Sequence, residues 1–357
     1  MRFKIKLPHA IIAAVNAVSL AGALILTAAG SSIARSQSYN YSAEKWDPDG
    51  ESSQISCFFS DDSGFSTDGL GGLRSQIMNS LSTVLPADSQ LNVPDAYSAN
   101  AGTAELRSDT LGRGDAELTA VGGDFFLFRD FTLLDGAYFS QSDLMQDGAV
   151  IERSLAWSLY GSDNVSGLNV YINGIEFYIA GVIDDPANKY QKKTAGEAPR
   201  AYISYDGASQ LASLTGEDAD FKKVSCYECI MPDPVENYAY NTINGYFEGM
   251  YSGKYHAVCN TTRFTASVRV KSFKNLSSYA VRSDSVIYPY WENASRIAEF
   301  KISPIYFLRR ISLIVPVVTG VWLAFLLFKA LEKNGKRLIT AAYDKYIRIM
   351  YDRRHRS

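Results

Sequence analysis

Residues 122–185 have the sequence GGDFFLFRDFTLLDGAYFSQSDLMQDGAVIERSLAWSLYGSDNVSGLNVYINGIEFYIAGVIDD and carry more ordered local signals than any other part of the chain. A compact aromatic turn is followed by an apolar strand at 149–152 and a short helix at 154–161. Alternating apolar residues then flank the dipeptide Asn173-Gly174. This dipeptide predicts a β-hairpin, because a type I′ turn needs positive φ at both central positions.

Upstream of this stretch, the pattern predicts two strands and one helix. The strands are expected at 53–60 (SQISCFFS) and 116–123 (AELTAVGG). Good N-capping residues at 66–69 open a helix with apolar residues at helical spacing, and Pro86 ends it. The helix would place one apolar face on a sheet.

Downstream, the local signals are weaker. Strands are expected within 199–207 (PRAYISYDG) and 265–272 (TASVRVKS), and a short helix is expected near 278–282. The remainder of 186–257 is tyrosine-rich and is expected to be irregular. The central part of the chain is therefore predicted to be an α+β domain.

Two apolar segments, one near each end, are predicted to cross a membrane. The first contains no charged residue, and the core of the second, Ile311–Phe328, is 18 residues without a charge. Both are about long enough to span a bilayer. We divide the chain into a cytoplasmic N-terminus (1–9), transmembrane helix 1 (10–34), a polar linker (35–51), an extracytoplasmic domain (52–308), transmembrane helix 2 (309–328) and a basic cytoplasmic tail (329–357).

Basic residues flank both outer ends of this arrangement. Three precede the first apolar segment and nine follow the second, so both termini are predicted to be cytoplasmic in a two-pass protein of the cell membrane. The first segment could instead be a cleaved signal peptide, but its apolar stretch exceeds the usual signal core of about 7–15 residues. Asn16 with Ala13, Ala17 and Ala21 also forms a small-residue face that could pack against another helix.

The segment between the anchors is acidic. It carries 21 basic and 35 acidic residues, a formal charge of −14. This charge disfavours nucleic acid or anionic lipid as a partner and is compatible with cationic cargo, although solubility alone also explains it.

Four cysteines, Cys57, Cys226, Cys229 and Cys259, all lie in the outer segment. Disulfides are permitted outside the cytoplasm, and four cysteines allow three pairings. The Cys226-x-x-Cys229 motif could be redox-active, but no thioredoxin-like pattern surrounds it. A four-cysteine zinc site would normally use two paired motifs. Structural bridges or unreactive thiols are the favoured interpretation.

Residues 121–182 also contain a family-specific series. Its clearest members, called the signature residues below, are Phe126, Gly136, Phe139, Gly161, Asn173, Gly174 and Gly181. The series resembles the periplasmic core domain of macrolide-exporter-type (MacB-like) ABC transporter permeases, a mainly bacterial superfamily that includes the FtsX and lipoprotein-release permeases. The resemblance implies an α+β extracytoplasmic domain, built from two mixed α/β subdomains, between two transmembrane helices. The signature identifies a fold more than a site.

The sequence departs from the family in one respect. Family permeases carry two further transmembrane helices and a cytoplasmic segment that meets the ATPase, whereas this sequence stops 29 residues after Phe328. We therefore expect a membrane-anchored component that works with separate permease and ATPase subunits or as a homo-oligomer. The alternative is a stand-alone cell-surface module that binds a peptide, lipoprotein or cell-wall ligand through the tyrosine-rich stretch Tyr190–Tyr255.

Motifs for catalysis or cofactor binding are absent from the sequence. There is no G-x-x-x-x-G-K-[ST] loop for ATP, no G-x-S-x-G, no H-E-x-x-H and no EF-hand loop. Of the three histidines, only His256 lies between the anchors. The sequence therefore predicts a non-enzymatic protein with no catalytic residue, no cofactor and no metal site.

Overall fold

The computed structural model describes residues 7–86, 92–215, 220–273 and 285–354. The chain forms two compact units. The outer unit is Ser32–Ser303, and the helical unit combines Met1–Ser31 with Pro304–Ser357.

A ten-stranded mixed sheet forms the centre of the outer unit. Its strands are β1 (Ser52–Phe59), β2 (Asp95–Ser108), β3 (Arg113–Gly123), β4 (Leu133–Gly136), β5 (Gly148–Glu152), β6 (Asn169–Ile172), β7 (Ile175–Ile183), β8 (Arg200–Ser204), β9 (Cys226–Pro232) and β10 (Tyr255–Cys259). Their order is β10-β1-β9-β2-β3-β8-β5-β7-β4, with β6 beside β2 and β7. The pairs β3–β8 and β5–β7 are parallel, and the other described pairs are antiparallel.

The α-helices are interspersed along the chain. They are α1 (Leu7–Arg35), α2 (Ser42–Trp46), α3 (Leu70–Val84), α4 (Arg153–Tyr160), α5 (Lys189–Thr194), α6 (Tyr205–Thr215), α7 (Tyr238–Tyr251), α8 (Asn260–Arg263), α9 (Ala266–Phe273), α10 (Tyr290–Ser312) and α11 (Ile314–Arg354).

The helices of the outer unit divide one face of the sheet into two cores. Helices α3 and α7 pack on one half of this face, and α4 and α6 pack on the other half. Tyr205 contacts both cores. The opposite face buries Phe58, Val121 and Tyr202 with Trp291 from the start of α10. The expected mixed α/β fold is confirmed, and a single sheet runs through both of its parts.

Several predicted elements are confirmed. The strand at 53–60 is β1, the helix after 66–69 is α3, and the short helix is α4. The hairpin is β6–β7, in which Asn173 and Gly174 have φ values of +47° and +89°. Positive φ at both positions is what the Asn-Gly dipeptide predicts.

The predicted strand at 265–272 is wrong, because these residues form α9. The short alternation of valines favoured a strand, but the residue that the structure buries is Arg269. Its guanidinium lies 3.2 Å from Glu299, so an ion pair determines which side of this segment faces inward. The helix expected near 278–282 lies outside the described residues.

The prediction of irregular structure for 186–257 is also wrong. These residues contain α5, β8, α6, β9, α7 and β10, and within 199–207 the strand stops at Ser204, where α6 begins. In α7, Ala239, Ile243 and Phe247 are buried at four-residue spacing, a helical signal that the surrounding tyrosines obscured. The predicted polar linker is likewise ordered, since α2 lies within it and Tyr39 and Ala43 are buried.

Two helical spans, His9–Arg35 and Tyr290–Gly335, are long and apolar enough to cross a membrane. Most of each span belongs to the helical unit, while the end of the first and the beginning of the second belong to the outer unit. Within the helical unit, Thr319 donates a hydrogen bond to Asn16 with an O–O distance of 2.6 Å. Gly30 packs closely on Tyr306, where an added Cβ would lie 2.5 Å from a ring carbon. The other members of the small-residue face, Ala13, Ala17 and Ala21, remain exposed, which leaves them available to another helix.

Candidate functional site

The first candidate region is an aromatic cleft at the carboxyl ends of the parallel strands β3 and β8. Two glycines at the end of β3 shape it. A Cβ on Gly122 would lie 2.4 Å from the ring of Tyr97, and one on Gly123, whose φ is +65°, would lie 2.3 Å from the carbonyl oxygen of Asp95. The Gly122-Gly123 dipeptide therefore lets the chain pass under Tyr97 and turn into the aromatic segment Phe125–Phe128.

The cleft has a volume of about 560 Å³, within the range of ordinary ligand sites. The signature residues Phe126 and Phe139 meet in it, with ring centroids 5.3 Å apart in an edge-to-face arrangement. Tyr97 and Tyr205 form another part of the wall, with ring centroids 5.1 Å apart. Burial raises the pKa of both tyrosines, so their phenols are neutral.

Carboxylates provide the charge of the cleft. Asp143 and Asp206 line it, and among the residues that the structure describes no lysine or arginine does. Neither aspartate forms an ion pair with any residue that the structure describes. Asp143 accepts a hydrogen bond from the Ser140 amide at 2.9 Å, which holds the loop that carries it. The cleft is therefore both aromatic and acidic.

The other signature residues lie away from the cleft and have structural roles. Gly136 and Gly181 face each other in the β4–β7 pair. Gly161 ends α4 in the left-handed conformation, and Asn173 and Gly174 form the hairpin turn. The signature thus marks two cleft residues and five backbone positions. Sequence reasoning missed Tyr97, Gln141, Tyr205 and Asp206, although Tyr205 and Asp206 lie within the stretch 199–207 that was predicted to contain a strand.

The second candidate region is a buried ionic network on the opposite face of the sheet. Arg263 at the end of α8 is 3% exposed and donates to Glu292 at 2.7 and 2.8 Å and to Glu299 at 3.0 Å. Burial alone would lower the pKa of Arg263, but Glu292 and Glu299 raise it, so the guanidinium is charged. Arg269 of α9 also contacts Glu299. The start of α10 is therefore tied to α8 and α9 by charge.

The network continues from Arg263 into the sheet. Arg263 donates to Asn260, Asn260 donates to Ser56 of β1, and Ser56 donates to Glu228 of β9. Glu228 in turn binds the buried Arg129, which follows the aromatic segment of the cleft. The sequence did not predict this network.

A separate buried pair joins β5 to β8. Arg200 donates to Glu152 through its backbone amide at 3.1 Å and its Nε at 2.9 Å. Burial raises the pKa of Glu152 from 4.5 to about 7, although Arg200 opposes the shift.

We therefore expect the contribution of Glu152 to the free energy of unfolding to fall as the pH rises from about 4.5 to 7. In this window the folded chain holds a proton on Glu152 that the unfolded chain has released. The loss is at most about 1.4 kcal/mol per pH unit and about 2–3 kcal/mol overall. The free energy of unfolding, measured with urea at several pH values, should decline less with rising pH in Glu152→Gln than in the wild type. Glu105→Gln, at an exposed ion pair, is the control. Equal slopes for wild type and Glu152→Gln would contradict the assignment.

The four cysteines carry free thiols in the structure. Cys226 and Cys229 are three residues apart on β9 and therefore point to opposite faces of the sheet, so they cannot bridge each other. Burial raises the pKa of Cys57, Cys226 and Cys229, which disfavours the reactive thiolate. Among the described residues, no group of three or more His, Cys, Asp or Glu side chains could hold a metal ion.

The tyrosine-rich stretch does not form the binding surface that we considered. None of its tyrosines is exposed, and Tyr190, Tyr202 and Tyr227 are buried. Tyr251 and Tyr255 pack on Phe59 and Phe247 in the core under α7. These side chains stabilise the fold, and only Tyr205 contributes to the cleft.

Comparison with known proteins identifies the family. A family model described as the MacB-like periplasmic core domain matches residues 12–225, more than half of the chain. No curated protein matches. Similar solved structures include the periplasmic region of MacB from Actinobacillus actinomycetemcomitans, at 17% identity and a TM-score of 0.38, covering 58% of this chain and 89% of that one. Another is the extracellular domain of the noncanonic ABC-type transporter YknZ from Gram-positive bacteria, at 14% identity and a TM-score of 0.39, covering 57% of this chain and 99% of that one. The protein thus belongs to the family of the MacB-like periplasmic core domain, the domain of ABC-type transporter permease-like proteins.

Proposed function

We propose that the protein is a non-catalytic, membrane-anchored component of an ABC-type transport system, whose outer domain couples to a separate permease and ATPase. Both termini lie in the cytoplasm in this proposal, because basic residues flank the outer ends of the two apolar segments. Family membership supports the transport context.

The observation that carries the coupling role is the buried ionic network. Arg263, Glu292 and Glu299 fix the first turns of α10 to α8, and Asn260 and Ser56 connect α8 to the sheet. Along the chain, α10 leads into the second apolar segment. A displacement of α10 would have to break charged contacts in a region of low dielectric, so the sheet and the start of this helix should move as one body.

Co-purification from native membranes tests the proposal. The full chain, tagged and extracted in a mild detergent, is expected to bring an ATPase and a multi-helix permease in stoichiometric amounts. The exposed Ala17 and Ala21 offer a contact that small residues favour, so Ala17→Ile with Ala21→Ile should reduce recovery of the permease by about tenfold. Val18→Ile, at another exposed position of α1, is the matched control. A monodisperse monomer without associated subunits would argue against the transport role.

The second candidate function is a stand-alone binding module, and the aromatic cleft is the observation that favours it. In that case the helices serve only as anchors, and the chain would bind its ligand equally well in cells that lack the permease. Recovery of the chain with a ligand but without transporter subunits would favour this second function.

A further inference from the structure

The aromatic cleft has the composition of a site for one kind of ligand. Phe126, Phe139 and Tyr205 offer aromatic surface, and Asp143 and Asp206 offer negative charge. Leu144 lies fully exposed on the rim and adds aliphatic surface beside the rings.

The charge of the cleft selects a cation. No basic side chain from the described part of the chain lines it, and the segment between the anchors has a formal charge of −14. The positive amino-terminal end of α6 does not reverse this preference. Ser204 accepts the hydrogen bond of the Gly207 amide at 2.9 Å, and Asp206 places a carboxylate in the first turn. The aromatic faces also attract cations.

The form of the cleft selects a short peptide segment. Its volume of about 560 Å³ accommodates a few side chains. Gln141 donates to the Tyr97 hydroxyl and lies on the wall, so an amide that can contact a peptide backbone is already positioned. An aromatic or aliphatic side chain would enter between the rings, and its basic neighbour would meet the two aspartates.

We propose that the aromatic cleft binds a basic peptide segment in which a lysine or arginine lies beside an aromatic or aliphatic side chain. The inference goes beyond the proposed transport role and does not depend on it. If the cleft fails to bind, the role in coupling stands, and if no permease is found, the cleft can still bind.

Calorimetric titration of the full chain in phosphatidylcholine nanodiscs tests the proposal, with empty nanodiscs as blank. The probe is a blocked tetrapeptide of alternating phenylalanine and lysine. Two further peptides serve for comparison, one with glutamate in place of lysine and one with alanine in place of phenylalanine. The probe should bind at least about tenfold more tightly than either of them. The first comparison tests charge and the second tests the aromatic contact. Equal affinity for the alanine peptide would reveal general attraction to an acidic domain and would overturn the site.

Variants locate the binding. The double variant Asp143→Asn with Asp206→Asn should bind the tetrapeptide about tenfold more weakly at low salt. Leu144→Ser should bind it about threefold more weakly. Asp206 and Leu144 are exposed, so the fold should tolerate both changes. Asp115→Asn is the control, because Asp115 is an exposed carboxylate near the opposite end of β3. Unchanged binding by Asp206→Lys, or no binding by the wild type, would refute the proposal.

Discussion

Replacement of Arg263 by methionine is expected to lower the free energy of unfolding of the outer unit by about 3–5 kcal/mol. The side chain of Arg263 is 2% exposed and lies between Glu292 and Glu299. Methionine fills much of the same space but leaves both carboxylates buried without their main counter-charge. The penalty is the desolvation of these carboxylates, which exceeds the value of an ordinary hydrogen bond. Thermal unfolding in a mild detergent should show a decrease in Tm of about 6–15 °C.

The matched control is Arg107→Met. Arg107 also forms an ion pair, with Glu105, but its side chain is 64% exposed. An exposed pair contributes about 0–1 kcal/mol, so this variant should unfold close to the wild type. Hydrogen exchange adds a local measurement, since amides 290–303 of α10 should lose protection in Arg263→Met and not in Arg107→Met. Similar stability of the two variants would show that the buried network does not hold α10.

Local sequence patterns predicted the parts of the fold that local physics determines. The β6–β7 hairpin follows from the conformational preference of Asn173-Gly174, and α3 follows from the helical spacing of its apolar residues. Neither needs a distant partner. By contrast, α9 lacks a strong helical pattern, and its conformation depends on burying Arg269 beside Glu299, some thirty residues further along the chain. No local periodicity reports such a contact.

The candidate cleft was only half predictable for a related reason. Phe126 and Phe139 lie in the stretch that resembles the family, so the signature found them. Tyr97 lies on β2 and Tyr205 at the start of α6, and they reach the same place only because β2 and β8 both flank β3. Strand order over such distances is not encoded in any short motif. The ionic network escaped prediction because Arg129, Glu228 and Arg263 are brought together from different elements.

The signature glycines are expected to differ sharply in their tolerance of alanine. Gly136 and Gly161 both have positive φ, at +73° and +69°. This conformation costs an alanine about 1–2 kcal/mol at either position. At Gly161 the added Cβ would meet open space, so Gly161→Ala should cost no more than that.

At Gly136 the added Cβ would also lie 2.2 Å from the carbonyl oxygen of Ala180 and 2.8 Å from the Cβ of Ser166. The backbone of β7 cannot withdraw without disturbing its pairing with β4 and β5. We therefore expect Gly136→Ala to lower the free energy of unfolding by about 3–5 kcal/mol in total. Chemical denaturation of the two variants side by side measures the difference, and equal midpoints would contradict it. Because both residues belong to one signature and share one backbone conformation, the comparison isolates close packing between strands as the reason that Gly136 must be glycine.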